Sequence, residues 1–260
     1  MLHKVTKQPF ESARVAASFR RGLKSYDQNA SVQYRIATQL VGELKKACSA
    51  NQFEHAFEFG CGTGYLTKQL VENFQIKDFV VNDLVAECGA SVQAIAPNAT
   101  FTRGAVQDME LPADLDLVAS SSAIQWVPEL SDLIENTAAK LNIGGFMALS
   151  GFGHGHFDEL QQLGSRAIAP SYADDTELAA MLPSFMDVAY LKTSQIQLEF
   201  EGLLPLLRHL RTTGVNGRAS GMLTKANFNS FEQRYASQFG RNGKLLLTYQ
   251  PTWLIAQRQR

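Results

Sequence analysis

Apolar residues recur every four positions over 31–48, where Val32, Ile36, Leu40 and Leu44 form one stripe, and this spacing predicts a helix. Residues 11–23 predict a second helix ahead of it. From residue 55 the pattern changes to short apolar runs: HAFEFG (55–60), DFVVND (78–83), ATFTRG (99–104), LDLVAS (115–120) and GFMALSG (145–151) predict strands. The stretches 65–74, 86–95 and 130–141 between them predict helices. Strands alternating with helices imply a doubly wound parallel α/β sheet. Beyond residue 151 the order changes to helices near 156–168 and 174–182, then strand-like VAYLKT and QIQLEF. The helical stretch 203–240 reads as an insertion capping the sheet's binding edge. KLLLTYQPTWLIAQ (244–257) alternates in a way that predicts one long final strand.

The chain has 260 residues, 45% hydrophobic and 19% charged, which suits a single globular domain over 1–260. No apolar run reaches the ~18 residues that span a bilayer. The basic N-terminal stretch lacks the apolar core of a signal peptide. Cys48, Cys61 and Cys88 cannot all pair, show no CxxC spacing and have no histidines nearby suited to zinc. A cytoplasmic protein without a metal site is expected. His154 and His156 are the only closely spaced histidines, and the run FGHGHF reads as a polar loop. Net charge is −1 but unevenly spread: residues 1–46 hold nine basic against three acidic residues, 203–260 nine against one, and 47–202 six against twenty-one. If both basic ends cover one side of the acidic middle, that side attracts an acidic partner.

The sharpest chemical signal is Glu58-Phe59-Gly60-Cys61-Gly62-Thr63-Gly64-Tyr65, which follows a predicted strand and opens a predicted helix. Gly60 and Gly62 let the backbone turn and approach a ligand, and Gly64 admits the helix N-terminus. Asp83 ends the next strand, where a carboxylate can accept ribose hydroxyls. The dinucleotide pattern GxGxxG would need glycine at Tyr65, and a phosphate loop would need Gly-Lys-Ser/Thr; neither is present.

These residues resemble the first motif of class I methyltransferases that use S-adenosylmethionine (SAM), an acid followed by x-Gly-x-Gly-x-Gly. The resemblance implies that Glu58 orients the loop or meets the methionine amino group, that Gly60, Cys61, Gly62 and Gly64 line that moiety, and that Asp83, with Leu84 beside it, holds the ribose. Ser120, at the end of the fourth strand, belongs to the same expected set. The family often places an aspartate after the third strand against adenine, but Ala105 stands there, so Gln107, Asp108 or backbone near Ala105 and Val106 must serve.

A longer resemblance, over most of the chain, is to the malonyl-acyl-carrier-protein O-methyltransferases of biotin synthesis. It rests on VAASF (15–19) followed by Ser25-Tyr26-Asp27, on Ser120-Ser121-Ser122-Ala123-Ile124-Gln125-Trp126, on LRHLRTTG (207–214), and on LTYQPTWLIAQR near the end. It implies N-terminal helices over 1–50, a cofactor-binding core over 51–151, and a C-terminal half of the sheet over 152–260 with its cap at about 203–240. It also implies transfer of the SAM methyl to the free carboxylate of a malonyl group on acyl carrier protein or coenzyme A, with neither nucleic acid nor membrane as partner. A carboxylate is already ionised near neutral pH, so catalysis needs positioning rather than a general base. Tyr26, Gln125 and Trp126 are the candidates for that task. Arg208 and Arg211, three apart and on one helical face, together with Tyr26 are the candidates to hold the substrate, although two such arginines suit a solvent or partner surface equally well. Two alternatives share the fold: a small-acid methyltransferase of the trans-aconitate kind, and a non-catalytic SAM- and carrier-binding module.

Overall fold

The computed structural model describes residues 12–165, 168–213 and 225–260; the side chains of 12–14, 24–29, 225 and 226 lie outside the described residues. Two helices open it, α1 (Ser12–Asn29) and α2 (Ser31–Ala47). Then follow β1 (Gln52–Phe59), α3 (Tyr65–Asn73), β2 (Gln75–Asp83), α4 (Cys88–Ile95), β3 (Thr100–Arg103), β4 (Leu115–Ser121), α5 (Leu130–Ala139) and β5 (Leu141–Phe152). The remainder contains α6 (Asp158–Gln162), α7 (Asp175–Ala180), β6 (Met186–Thr193), β7 (Ile196–Phe200), α8 (Leu203–Thr212), α9 (Lys225–Phe239), β8 (Gly240–Arg241), β9 (Lys244–Tyr249) and β10 (Pro251–Arg258).

Seven strands form the main sheet in the order β3-β2-β1-β4-β5-β10-β6, and β10 runs antiparallel to both of its neighbours. In its parallel part, Phe57 of β1 stands opposite Val80 of β2 on one side and Val118 of β4 on the other. Successive side chains of a strand point to opposite faces, so one sequence builds two cores. Ala56, Leu117, Ala119, Phe146, Ala148, Trp253 and Ile255 pack with the stripe of α2 and with α3 and α4. Phe57, Phe59, Val118, Met147, Leu149, Leu254 and Ala256 pack with Leu130, Leu133 and Ile134 of α5 and Leu178 of α7. The strand order reverses between β1 and β4, and the loops that leave them part there, opening a crevice at the strands' C-terminal ends.

The C-terminal third departs from the expected elements in three places. The final strand is two strands: β10 belongs to the main sheet, whereas β9 pairs with β7 and β8 in a separate antiparallel sheet. The break falls at Gln250, whose carbonyl accepts from the Gly153 N–H at 2.8 Å and whose Oε1 accepts from the Gly155 N–H at 2.7 Å. The helix expected over 156–168 is only α6, ending before Gly164 at φ 94°. The stretch 203–240 contains α8 and α9, with 214–224 between them outside the described residues. Helix α8 packs on α1, β7 and β9, so the two basic ends of the chain come together. Arg20, Arg21, Arg208 and Arg211 are all exposed on this pair of helices, and Arg20 also meets Glu87 at 2.7 Å.

Candidate active site

The loop from β1 to α3 turns through Gly60 (φ 68°), Gly62 (φ 56°) and Gly64 (φ 91°), left-handed conformations that only glycine adopts without strain. A Cβ on Gly60 would meet Ala123 Cβ at 2.4 Å and one on Gly64 would meet Ile95 Cδ1 at 2.5 Å, whereas one on Gly62 would enter open space. That space is a cleft, bounded by Gly60, Cys61, Gly62, Asp83, Leu84, Ala105 and Val106 among others.

Asp83 ties the cleft's two sides together. One carboxylate oxygen accepts from the Gly62 N–H and the other from the Val85 N–H, both at 2.8 Å. Burial raises its carboxyl above the ordinary range, and those backbone donors oppose the rise. Asn82 donates to the carbonyls of Thr102 and Gly104, each at 3.1 Å, fixing the turn after β3 against β2. Apolar walls come from Phe59, Val85, Val106, Val127 and, from the N-terminal helices, Val15, Phe19, Leu23 and Ala37. Those helix residues were not among the expected site residues. Their signal in the sequence is the spacing of four between Val15, Phe19 and Leu23, which marks a face that must be covered.

Three expected cofactor residues stand behind the cleft. Glu58 is fully buried beneath the loop, and neither of its carboxylate oxygens has a hydrogen-bond partner. Burial pushes its carboxyl up to about 8; the Thr67 hydroxyl nearby opposes the rise and the Asp83 carboxylate adds to it. Ser120 is fully buried and donates to the Phe59 carbonyl at 2.9 Å, holding the end of β1. Gly64 takes the cap position of α3, where the Cys61 carbonyl accepts from its N–H at 2.9 Å. Cys61 and Cys88 both line the cleft as buried thiols; Cys61 Sγ donates to the Gly62 carbonyl at 3.8 Å, and the neighbouring Cys88 and burial push the Cys61 thiol up.

After β4, Trp126 lines the cleft edge-on to Phe19, with ring centroids 5.6 Å apart. Behind it lies a second cavity, sharing Phe19, Gln33, Ser122 and Trp126 with the first and adding Gln125, Phe152, His156, Tyr172 and Thr213. Gln125 is buried; its Nε2 donates to the Ser122 carbonyl at 2.7 Å, leaving Oε1 without a partner. The two histidines of FGHGHF separate. His154 is exposed and 2.8 Å from Glu177, while His156 is buried between Phe152 and Phe157. His154, Asp174 and Glu177 bring three potential ligand atoms within 4.8 Å of one another, but Asp174 and Glu177 are already the capping box of α7. Arg208 and Arg211 line neither cavity. Tyr26 lies on α1 with its side chain outside the described residues.

The cleft fits an adenosine-type sulfonium donor: a glycine cradle open at Gly62, an acid, Asp83, at the end of β2, and apolar surface at Leu84 and Val106. Residues 56–145 match a family model described as "Methyltransferase domain". The malonyl-[acyl-carrier protein] O-methyltransferase of Chlorobium phaeovibrioides is 31% identical over 251 residues, covering 94% of this chain and 96% of that one. The protein of the same name from Acinetobacter baylyi is 31% identical over 247 residues, covering 94% and 96%. Among solved structures, the N-methyltransferase NodS of Bradyrhizobium japonicum in complex with S-adenosyl-L-homocysteine superposes with a TM-score of 0.56 at 12% identity, over 95% of this chain and all of that one. With the loop, the acid and the strand order all in place, the chain belongs to the malonyl-[acyl-carrier protein] O-methyltransferase family of SAM-dependent methyltransferases.

Proposed function

We propose that this protein methylates the free carboxylate of a malonyl thioester carried on acyl carrier protein, an early step of biotin synthesis. The observation that carries the reading is the near full-length match to relatives named for that substrate, which extends beyond the common sheet to 94% of the chain. SAM supplies an electrophilic methyl: the O–CH₃ bond forms from a carboxylate lone pair as the S–CH₃ bond breaks, the electron pair goes to sulfur, and no proton moves.

The chain's own residues bind, orient and exclude water. The loop from Gly60 to Gly62 and the Asp83 carboxylate would hold the donor in the cleft that Trp126 also lines. Phe19 and Trp126 present aromatic surface to that cleft and would keep water from the reacting atoms. Arg208 and Arg211, exposed on α8 beside α1, present a basic surface on which an acidic carrier docks, placing the acyl group at the neighbouring cavity. We place the reaction in the cytoplasm, in keeping with free thiols at Cys48, Cys61 and Cys88. Among the described residues no helix is long and apolar enough to cross a membrane.

The test is to supply SAM with malonyl-carrier, malonyl-coenzyme A, malonate or trans-aconitate and compare kcat/KM. The carrier-bound substrate is expected to be preferred. Methyl esters formed only on the free acids would replace this reading by the small-acid one, and tight binding of SAM and carrier without turnover would replace it by a non-catalytic module.

A further inference from the structure

The cavity behind Trp126 contains more unpartnered polar atoms than packing alone accounts for. His156 Nδ1, Ser122 Oγ, Gln125 Oε1 and Gln33 Oε1 are all buried without a hydrogen-bond partner, and all four residues line it. An unsatisfied buried polar atom costs on the order of 1–3 kcal/mol, so four around one space favour a polar occupant, ordered water in the resting protein and a polar substrate group that displaces it. Among the described residues no lysine, arginine, aspartate or glutamate lines this cavity. Its ring is rigidly held: His156 is 1% exposed, stacked 3.9 Å from Phe152 and 3.8 Å from Phe157, with Tyr172 and Tyr249 edge-on to it.

We propose that His156 and Ser122 form an uncharged subsite that receives the carboxylate of the acyl substrate and presents it past Trp126 to the cofactor cleft. The subsite rests on the malonyl-thioester reading above. Burial holds the His156 ring well below its ordinary basicity, so it is neutral and donates an N–H rather than a charge. Neutral donors draw less electron density from the attacking oxygen than a guanidinium would. The sulfonium would then be the counter-ion that brings the carboxylate into line for transfer. Gln33 and Gln125 offer free oxygens that accept, which suits the amide N–H groups of the arm carrying the acyl chain. Arg208 and Arg211, exposed on α8, are thereby left to the carrier rather than to its cargo.

The experiment uses the full chain with His156→Phe and His156→Asn, measuring melting temperature, affinity for S-adenosylhomocysteine, and affinity of the S-adenosylhomocysteine-bound protein for malonyl- and acetyl-pantetheine. His156→Phe is expected to raise the melting temperature, since it takes an unpartnered nitrogen out of an aromatic stack. It should leave S-adenosylhomocysteine affinity unchanged and weaken malonyl-pantetheine by about tenfold or more, the loss expected for a hydrogen bond to a charged group. Acetyl-pantetheine, which lacks the carboxylate, should bind both proteins equally. His156→Asn, which keeps a donor near Nδ1, should recover part of the malonyl affinity without the gain in melting temperature. Equal weakening of both thioesters, or none of either, overturns the subsite while wild-type protein still methylates malonyl-carrier. Wild-type protein that methylates no malonyl thioester overturns the functional reading and the subsite with it.

Discussion

Glu58 and the glycines beside it do different work from side chains in contact with a ligand. A carboxyl raised in the fold from 4.5 to about 8 stays protonated there while the unfolded chain ionises, so it lowers stability progressively as pH rises from about 4.5 to about 8. Glu58→Gln removes that term. The variant should melt with wild type near pH 4 and above it at pH 8, in thermal scans without ligand; an unchanged difference across that range would show that Glu58 is ionised in the fold. The glycines divide by what surrounds them. Gly60→Ala drives a methyl into Ala123 and should lower the melting temperature; Gly62→Ala places its methyl in the cleft and should cost about 1 kcal/mol of backbone strain yet more than tenfold in SAM affinity by calorimetry. Equal effects of the two on binding would contradict the geometry. The sequence exposes this loop because only glycine tolerates these angles. It conceals His156, because its burial comes from where β5 and β9 place the rings of Phe152 and Tyr249 rather than from FGHGHF itself.

At the scale of elements, α2 is held to the sheet by more than its apolar stripe. The Trp253 indole N–H, on β10, donates to the Ile36 carbonyl at 3.0 Å in a fully buried setting. Trp253→Phe leaves that contact unmade and opens space beside α2, a change expected to cost about 2–4 kcal/mol, read as a lower denaturation midpoint with SAM affinity retained. A midpoint equal to wild type would mean that α2 is anchored by its apolar face alone. The alternation of strands and helices up to β5 is legible in the sequence, because each run has the length and period of one element. The division of KLLLTYQPTWLIAQ is not legible, because apolar residues continue across Gln250 and the strands of both sheets share one pattern. What separates them is tertiary: Gly153 and Gly155 donate to Gln250 from a loop about a hundred residues earlier.

For the whole molecule, the meeting of α1 with α8 converts a charge imbalance in the sequence into a surface. Reversing Arg208 and Arg211 to glutamate should lower kcat/KM for malonyl-carrier several-fold, with the deficit shrinking as salt is added. Malonyl-pantetheine, which needs no docking, should be turned over as by wild type; an equal loss on both would bring the two arginines into the acyl site instead. Methyl transfer to the malonyl group is read most directly by intact-mass analysis of malonyl-carrier and acetyl-carrier after incubation with the protein and SAM bearing a labelled methyl. One labelled methyl is expected on malonyl-carrier, released with the acyl group when the thioester is cleaved, and none on acetyl-carrier. A labelled methyl on both carriers, or on neither while a free acid becomes labelled, would contradict it.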